Sequence, residues 1–202
     1  MGAGIAQVAA AAGHRVMLFD TRDGAAASAR ERLAATLDGL VAKGKLAAGQ
    51  AQATLARIES IAVLQQAGGA RLVVEAIVED LAAKRTLLRQ LETVVDADAV
   101  LATNTSSISV TALAAGLAQP RRLVGMHFFN PVPLMKLVEV VSGLHTHPDV
   151  AAAIFDLASA WGKVPVHARS TPGFIVNRIA RPYYAEALAR KADTLPPLLR
   201  TW

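Results

Sequence analysis

Apolar and polar positions along the 202 residues alternate between two periods. Short runs dominated by Val, Ile, Leu and Phe predict strands at Arg15–Asp20, Leu72–Ile77, Ala99–Ala102, Arg122–Phe128, Lys136–Val141 and Val164–Ala168, with a weaker one at Ile61–Leu64. Longer stretches with helical patterning or rich in Ala lie between them. They predict helices over Gly2–Ala12, Asp23 to about Lys43 with a second piece to about Arg57, Leu81–Val94 and Asp149–Trp161. Strands separated by helices require a mostly parallel sheet covered on both faces and joined by right-handed crossovers. The expected class is α/β, a doubly wound sheet over residues 1–169. At Thr171-Pro172-Gly173 the character changes, and Phe174–Arg190 predicts one more helix. Pro182 lies inside it, so a bend is expected near Ala180. Residues 170–202 are therefore expected to form a separate helical stub.

Composition narrows the class. The chain is 53% hydrophobic and 18% charged, enough for a sizeable core. It has no cysteine, which excludes thiolate chemistry and Cys-based metal sites and suits a cytoplasmic setting; no metal is expected. The net charge of +5 comes from scattered residues. Arg178, Arg181, Arg190 and Lys191 form the densest late cluster and read as solvated surface, so no nucleic-acid partner is expected. No window of about 18 apolar residues predicts a membrane span.

Two places carry chemistry. A dinucleotide-binding unit runs from a strand through a Gly-rich turn into a helix whose N-terminus faces the pyrophosphate. Met1-Gly2-Ala3-Gly4-Ile5-Ala6 reads as the end of such a turn entering its helix. Asp20, at the end of the next strand, stands where a ribose-binding carboxylate is expected. A plain small-residue helix followed by a turn Asp fits that piece equally well.

The second place is Gly125–Val141, GMHFFNPVPLMKLVEVV. If its two strands pair antiparallel about a turn centred on Pro133, His127 and Glu139 face each other. Glu139 lies in LVEVV among apolar neighbours, where an acid is costly unless paired. An imidazole oriented by a carboxylate is a suitable base for removing a hydroxyl proton.

Three segments in order, Asn104-Thr105-Ser106-Ser107, the Gly125–Val141 run and Thr171–Arg178 (TPGFIVNR), resemble the signatures of the L-3-hydroxyacyl-CoA dehydrogenase family. The resemblance covers residues 1 to about 188. It implies NAD-dependent oxidation of a (3S)-3-hydroxyacyl-CoA to the 3-oxoacyl-CoA, with His127 as base and Glu139 as its partner. It further implies that Ser106 bonds the substrate oxygen, and that Asn177 orients substrate and nicotinamide. Gly2 and Asp20 would hold the cofactor, Glu79 and Lys84 would line its site, and Asn104 would lie near the nicotinamide. A carboxylate at Asp20 favours NAD over NADP, although Thr21-Arg22 leaves some NADP use open. The segment from Ala160 to Leu188 is most similar to bacterial members acting on 3-hydroxyadipyl-CoA, with 3-hydroxybutyryl-CoA as the other candidate. Whole members of the family are expected to be homodimers.

Relative to that family the sequence starts inside the phosphate-binding unit and departs from the pattern after about Arg190, in RKADTLPPLLRTW. The expectation is a chain truncated at both ends, with the His–Glu pair intact and little or no turnover. The alternatives are a non-catalytic fragment that binds a nucleotide or a partner, and a dehydrogenase of another hydroxy acid.

Overall fold

A computed structural model describes residues 1–194, with side chains through Arg190. Helix α1 (Gly2–Ala11) leads into strand β1 (Val16–Leu18). Helices α2 (Ala25–Ala42) and α3 (Ala48–Ala56) precede β2 (Ile58–Ser60). After a 3₁₀ turn at Leu64–Ala67 come β3 (Leu72–Glu75), α4 (Leu81–Val94), β4 (Val100–Thr103) and α5 (Val110–Ala114). The remaining elements are β5 (Leu123–Phe128), β6 (Leu137–Ser142), α6 (Pro148–Ala160), β7 (Val164–Arg169) and α7 (Val176–Thr194).

The strands form two sheets, β1-β2 and β3-β4-β5-β6-β7. Every pairing is parallel except β5 with β6. The sheet is divided because no strand among the described residues hydrogen-bonds to both β1 and β3. Helix α1 joins the two. Its Ile5 and Val8 pack with Val124, Met126 and Val140 of the larger sheet, while Ala6 and Ala10 pack with Leu33, Leu37 and Ile58 beside the smaller one.

Period-2 alternation places successive residues of the central strands on opposite faces. Leu101, Leu123 and Val141 pack under α4 and α5. Ala102, Val124 and Val140 pack under α1 and α6. All six residues of β5 are buried. This is the doubly wound arrangement expected from the pattern, and β5 and β6 are short strands buried on both faces.

Three elements differ from expectation. The weak strand lies at Ile58–Ser60, and Leu64–Ala67 is a 3₁₀ turn instead. Residues 61–64 are apolar, but Gln66 Oε1 accepts from the Ala62 and Val63 amides and turns the chain there. Helix α5 gave no sequence signal; its five residues follow Ser109, whose hydroxyl accepts the Ala112 amide at 3.2 Å. Helix α7 runs over Val176–Thr194 instead of Phe174–Arg190, with Pro182 inside it. The Thr194-Leu195-Pro196-Pro197 run and the rest of the C-terminal sequence lie outside the described residues.

The register of β5 on β6 places Gly125 against Val141, two positions from His127. A Cβ on Gly125 would stand 2.7 Å from Val141 Cβ and 3.2 Å from Val110 Cγ2. Gly125→Ala is therefore expected to lower unfolding stability by about 1–3 kcal/mol through overpacking. Urea unfolding checks this, and an unchanged midpoint contradicts it.

Candidate active site

The turn between β5 and β6 reverses the chain so that His127 opposes Glu139 in the antiparallel ladder. His127 is 5% exposed and Glu139 fully buried. His127 Nδ1 lies 2.6 Å from Glu139 Oε2. A carboxylate only accepts, so Nδ1 carries the hydrogen of this bond. Phe129 and Phe174 stand against the imidazole, with ring centroids at 4.6 and 5.8 Å.

The other oxygen of Glu139 is also engaged. Oε1 accepts the amides of Ile175 and Val176 at 2.9 Å each, at the start of α7. Burial pushes the Glu139 carboxyl up, but the bonds from His127, Val176 and Ile175 outweigh it and hold it below the ordinary carboxylate range. The chain reaches this position through Gly173, at φ +74°, where a Cβ would stand 2.7 Å from the Arg178 amide. Phe174 follows at φ 50°, a left-handed conformation that costs a non-glycine residue on the order of 1 kcal/mol.

A second carboxylate organises the turn after β4. Glu79 Oε1 accepts from Thr105 Oγ1 at 2.5 Å, and from the Ser106 and Ser107 amides at 2.8 and 3.1 Å. The hydroxyls of Ser107 and Ser106 lie 3.2 and 3.4 Å from the same oxygen. Burial raises the Glu79 carboxyl, yet the bonds from Thr105 and Ser106 and the Lys84 charge bring it down to about 2. Ser106 and Ser107 therefore do not cap a helix. Their turn is held by Glu79, and Ser109 caps α5.

Asn177, beside Val176 in α7, donates from Nδ2 to the Ser106 carbonyl at 3.0 Å. The two carboxylate-held turns thus meet through Asn177. Asn104 Oδ1 accepts the Phe128 amide at 2.9 Å and ties the end of β4 to the end of β5. Lys84 is 1% exposed, with its ammonium beneath the Ser106 turn, 2.7 Å from Glu75 and 3.4 Å from Glu79.

At the other end of the molecule, Asp20 borders a cavity of about 290 Å³ lined also by Arg22, Gly24, Ser60 and Ile61. Its carboxylate accepts the Arg22 amide at 2.9 Å and Arg22 Nε at 3.3 Å, bonds that hold its pKa below the ordinary value. The first turn of α1 offers backbone amides at Gly2 and Ala3, because the helix bonds begin from Gly4 and Ile5 to the Met1 carbonyl. No atom lies within 4 Å of a Cβ built on Gly2, so space beside it is open. Amide donors at a helix start and a carboxylate just past β1 fit the phosphates and ribose of a dinucleotide.

Sequence reasoning missed Glu75, Thr105, Phe174 and Lys163. The signal for Glu75 was present, since it stands in LVVEAI as Glu139 stands in LVEVV, an acid among apolar neighbours. Lys163 is buried and donates to the Val132 and Met135 carbonyls, fixing the turn beyond His127.

The doubly wound sheet, the open helix start at Gly2 and the carboxylate of Asp20 define a dinucleotide-binding domain of the Rossmann type. Residues 1–171 match the family described as 3-hydroxyacyl-CoA dehydrogenase, NAD binding domain, and the chain belongs to that family. It is 50% identical over 187 residues to 3-hydroxyadipyl-CoA dehydrogenase of Escherichia coli, covering 93% of this chain and 39% of that one. It is 40% identical over 193 residues to 3-hydroxybutyryl-CoA dehydrogenase of Clostridioides difficile, covering 96% of this chain and 69% of that one. A crystal structure of 3-hydroxybutyryl-CoA dehydrogenase from Escherichia coli superposes with a TM-score of 0.93 at 47% identity, over 97% of this chain and 42% of the other. The chain thus spans about two fifths of the length of its E. coli relatives. Among the described residues no helix is long and apolar enough to cross a membrane.

The Glu79 pKa gives a pH signature. Its carboxylate contributes stability above the ordinary range near 4.5, and that contribution is lost as pH falls toward 2. Glu79→Gln is expected to be less stable than the parent at neutral pH, and to lose less further stability between about pH 4.5 and 2. Urea unfolding at a series of pH values measures this. Parallel acid limbs for the two proteins would contradict it.

Proposed function

We propose that this site oxidises the 3-hydroxyl of a (3S)-3-hydroxyacyl-CoA to the 3-oxo group, and that the observation carrying the reading is the buried His127–Glu139 pair at 2.6 Å. His127 takes the hydroxyl proton on Nε2 while Glu139 steadies the imidazolium that forms. Bound NAD supplies the acceptor for the hydride that leaves C3. Ser106 bonds the substrate oxygen, and Asn177 orients the substrate through its place between the two turns. Gly2 and Asp20 hold the pyrophosphate and ribose ends of the cofactor, and Asn104 lies toward the nicotinamide. Glu79 and Lys84 border that site from below, through the Ser106 turn. Asp20, kept ionised by Arg22, disfavours a 2′-phosphate and so NADP.

The family match ends at Thr171, which supports a boundary near residue 170 with α7 beginning the helical substrate-binding and dimerisation part. The names of the two relatives support a 3-hydroxyadipyl or 3-hydroxybutyryl acyl group.

NADH titration followed by acetoacetyl-CoA reduction tests the reading on this chain. NADH binding is expected, and the turnover present is expected to depend on His127. His127→Gln should lower turnover by about 10²–10⁴-fold while NADH still binds. Undiminished turnover in that variant rejects the proposal. NADH binding with no turnover in the parent replaces it with a nucleotide-binding role.

A further inference from the structure

Glu75 has no part in the reaction described above, yet it is one of the most enclosed charged groups in the molecule, 3% exposed as a residue. Its side chain has three polar partners. Oε1 accepts the Lys84 ammonium at 2.7 Å and the Ile77 amide at 2.7 Å. Oε2 accepts the Thr103 hydroxyl at 2.8 Å. Both of its oxygens are thus engaged.

Two routes lead from Glu75 to that turn. Through Lys84 the charge reaches Glu79, 3.4 Å from the same ammonium, and Glu79 holds the Ser106 and Ser107 amides. Through Thr103 the path runs to the Thr105 amide, 3.3 Å from Thr103 Oγ1. Thr105 Oγ1 in turn donates to Glu79 and accepts the amides of Ser107 and Ile108 at 3.3 and 2.9 Å. The two routes meet at the Thr105–Glu79 bond and at the Ser107 amide.

We propose that Glu75 is a positioning residue for the Ser106–Ser107 turn, fixing it through Lys84–Glu79 and through Thr103–Thr105, and so sets the substrate contact made by Ser106. The proposal rests on the dehydrogenase reading for the substrate contact, and on the hydrogen bonds alone for the turn. The physical reason lies in charge. One buried ammonium stands between two carboxylates, so its position is decided by both. With Glu75 neutral, Glu79 is the one carboxylate among the described residues left within 4 Å of the Lys84 ammonium, and the pull on its Oε2 turns the carboxylate out of the arrangement in which Oε1 holds the turn. The amides held by Glu79 then lose their fixed acceptor. Lys84, being buried beneath the turn, acts through Glu79.

The test is amide hydrogen exchange on the whole chain, followed residue by residue, for the parent and for Glu75→Gln. In the parent, Ser106 and Ser107 are expected to be protected although their turn is only half-buried. In Glu75→Gln their protection is expected to fall about tenfold or more, while Val124 and Met126 in β5 keep theirs. The double variant Glu75→Gln/Lys84→Met removes both charges together, so it guards against a failure to fold caused by an unpaired buried ammonium. It is expected to show the same selective loss. Acetoacetyl-CoA reduction by folded Glu75→Gln should drop in kcat by about tenfold to a hundredfold, with the NADH dissociation constant changed less than about twofold.

Unchanged Ser106 and Ser107 protection in a folded variant overturns the proposal. Loss spread evenly over β5 and the turn does so too, because it shows a general stabilising role. Selective loss of protection with full kcat rejects the substrate-positioning part. If the parent itself turns nothing over, the dehydrogenase reading fails, and the exchange result still decides whether Glu75 fixes the turn.

Discussion

Glu139 divides its two oxygens between an imidazole and a helix start, in a position with no solvent exposure. A buried carboxylate with that many charge-assisted bonds is tolerated only while each partner stays in place, and removing one partner of a buried pair costs about 3–5 kcal/mol. Several features follow from this constraint. The antiparallel register of β5 on β6 must bring residue 127 to 139, which Gly125 permits by letting the strands approach at Val141. The chain after β7 must present two consecutive amides to Oε1, which explains a glycine and then a phenylalanine in the left-handed region at 173 and 174. Phe174 then shields the imidazole whose partner it helped to place.

A second carboxylate repeats the device on a neighbouring loop. Glu79 holds the Ser106 turn as Glu139 holds the start of α7, and Asn177 bonds one to the other. The site is thus built from two loops that have little regular structure of their own, each fixed by an acid anchored near a strand end. Such preorganisation is what a reaction needing aligned groups requires of its site. The doubly wound sheet supplies the rigid ends, and the acids convert those ends into a site.

Much of this was legible in the sequence. Strand and helix order followed from periodicity, and the turn centred on Pro133 gave the 127–139 pairing before any coordinates. What was not legible depended on contacts distant in sequence. Helix α5 is five residues with a Ser cap and too short to show a period. The division into two sheets reflects pairing partners, which hydrophobic runs do not specify. The conformation of the Ser106–Ser107 turn depends on Glu79, 27 residues before Ser106. Glu75 was overlooked although the argument applied to Glu139 fits it word for word: an acid in an apolar strand needs a buried partner, and here that partner is Lys84.

The central claim is that Glu139 fixes the hydrogen of His127 on Nδ1. Nitrogen-15 NMR of the His127 ring at neutral pH tests it most directly. The expected result is a proton on Nδ1, with its resonance shifted far downfield by the short bond to Glu139 and lost in Glu139→Gln. A ring carrying its proton on Nε2, with Nδ1 bare, would contradict it.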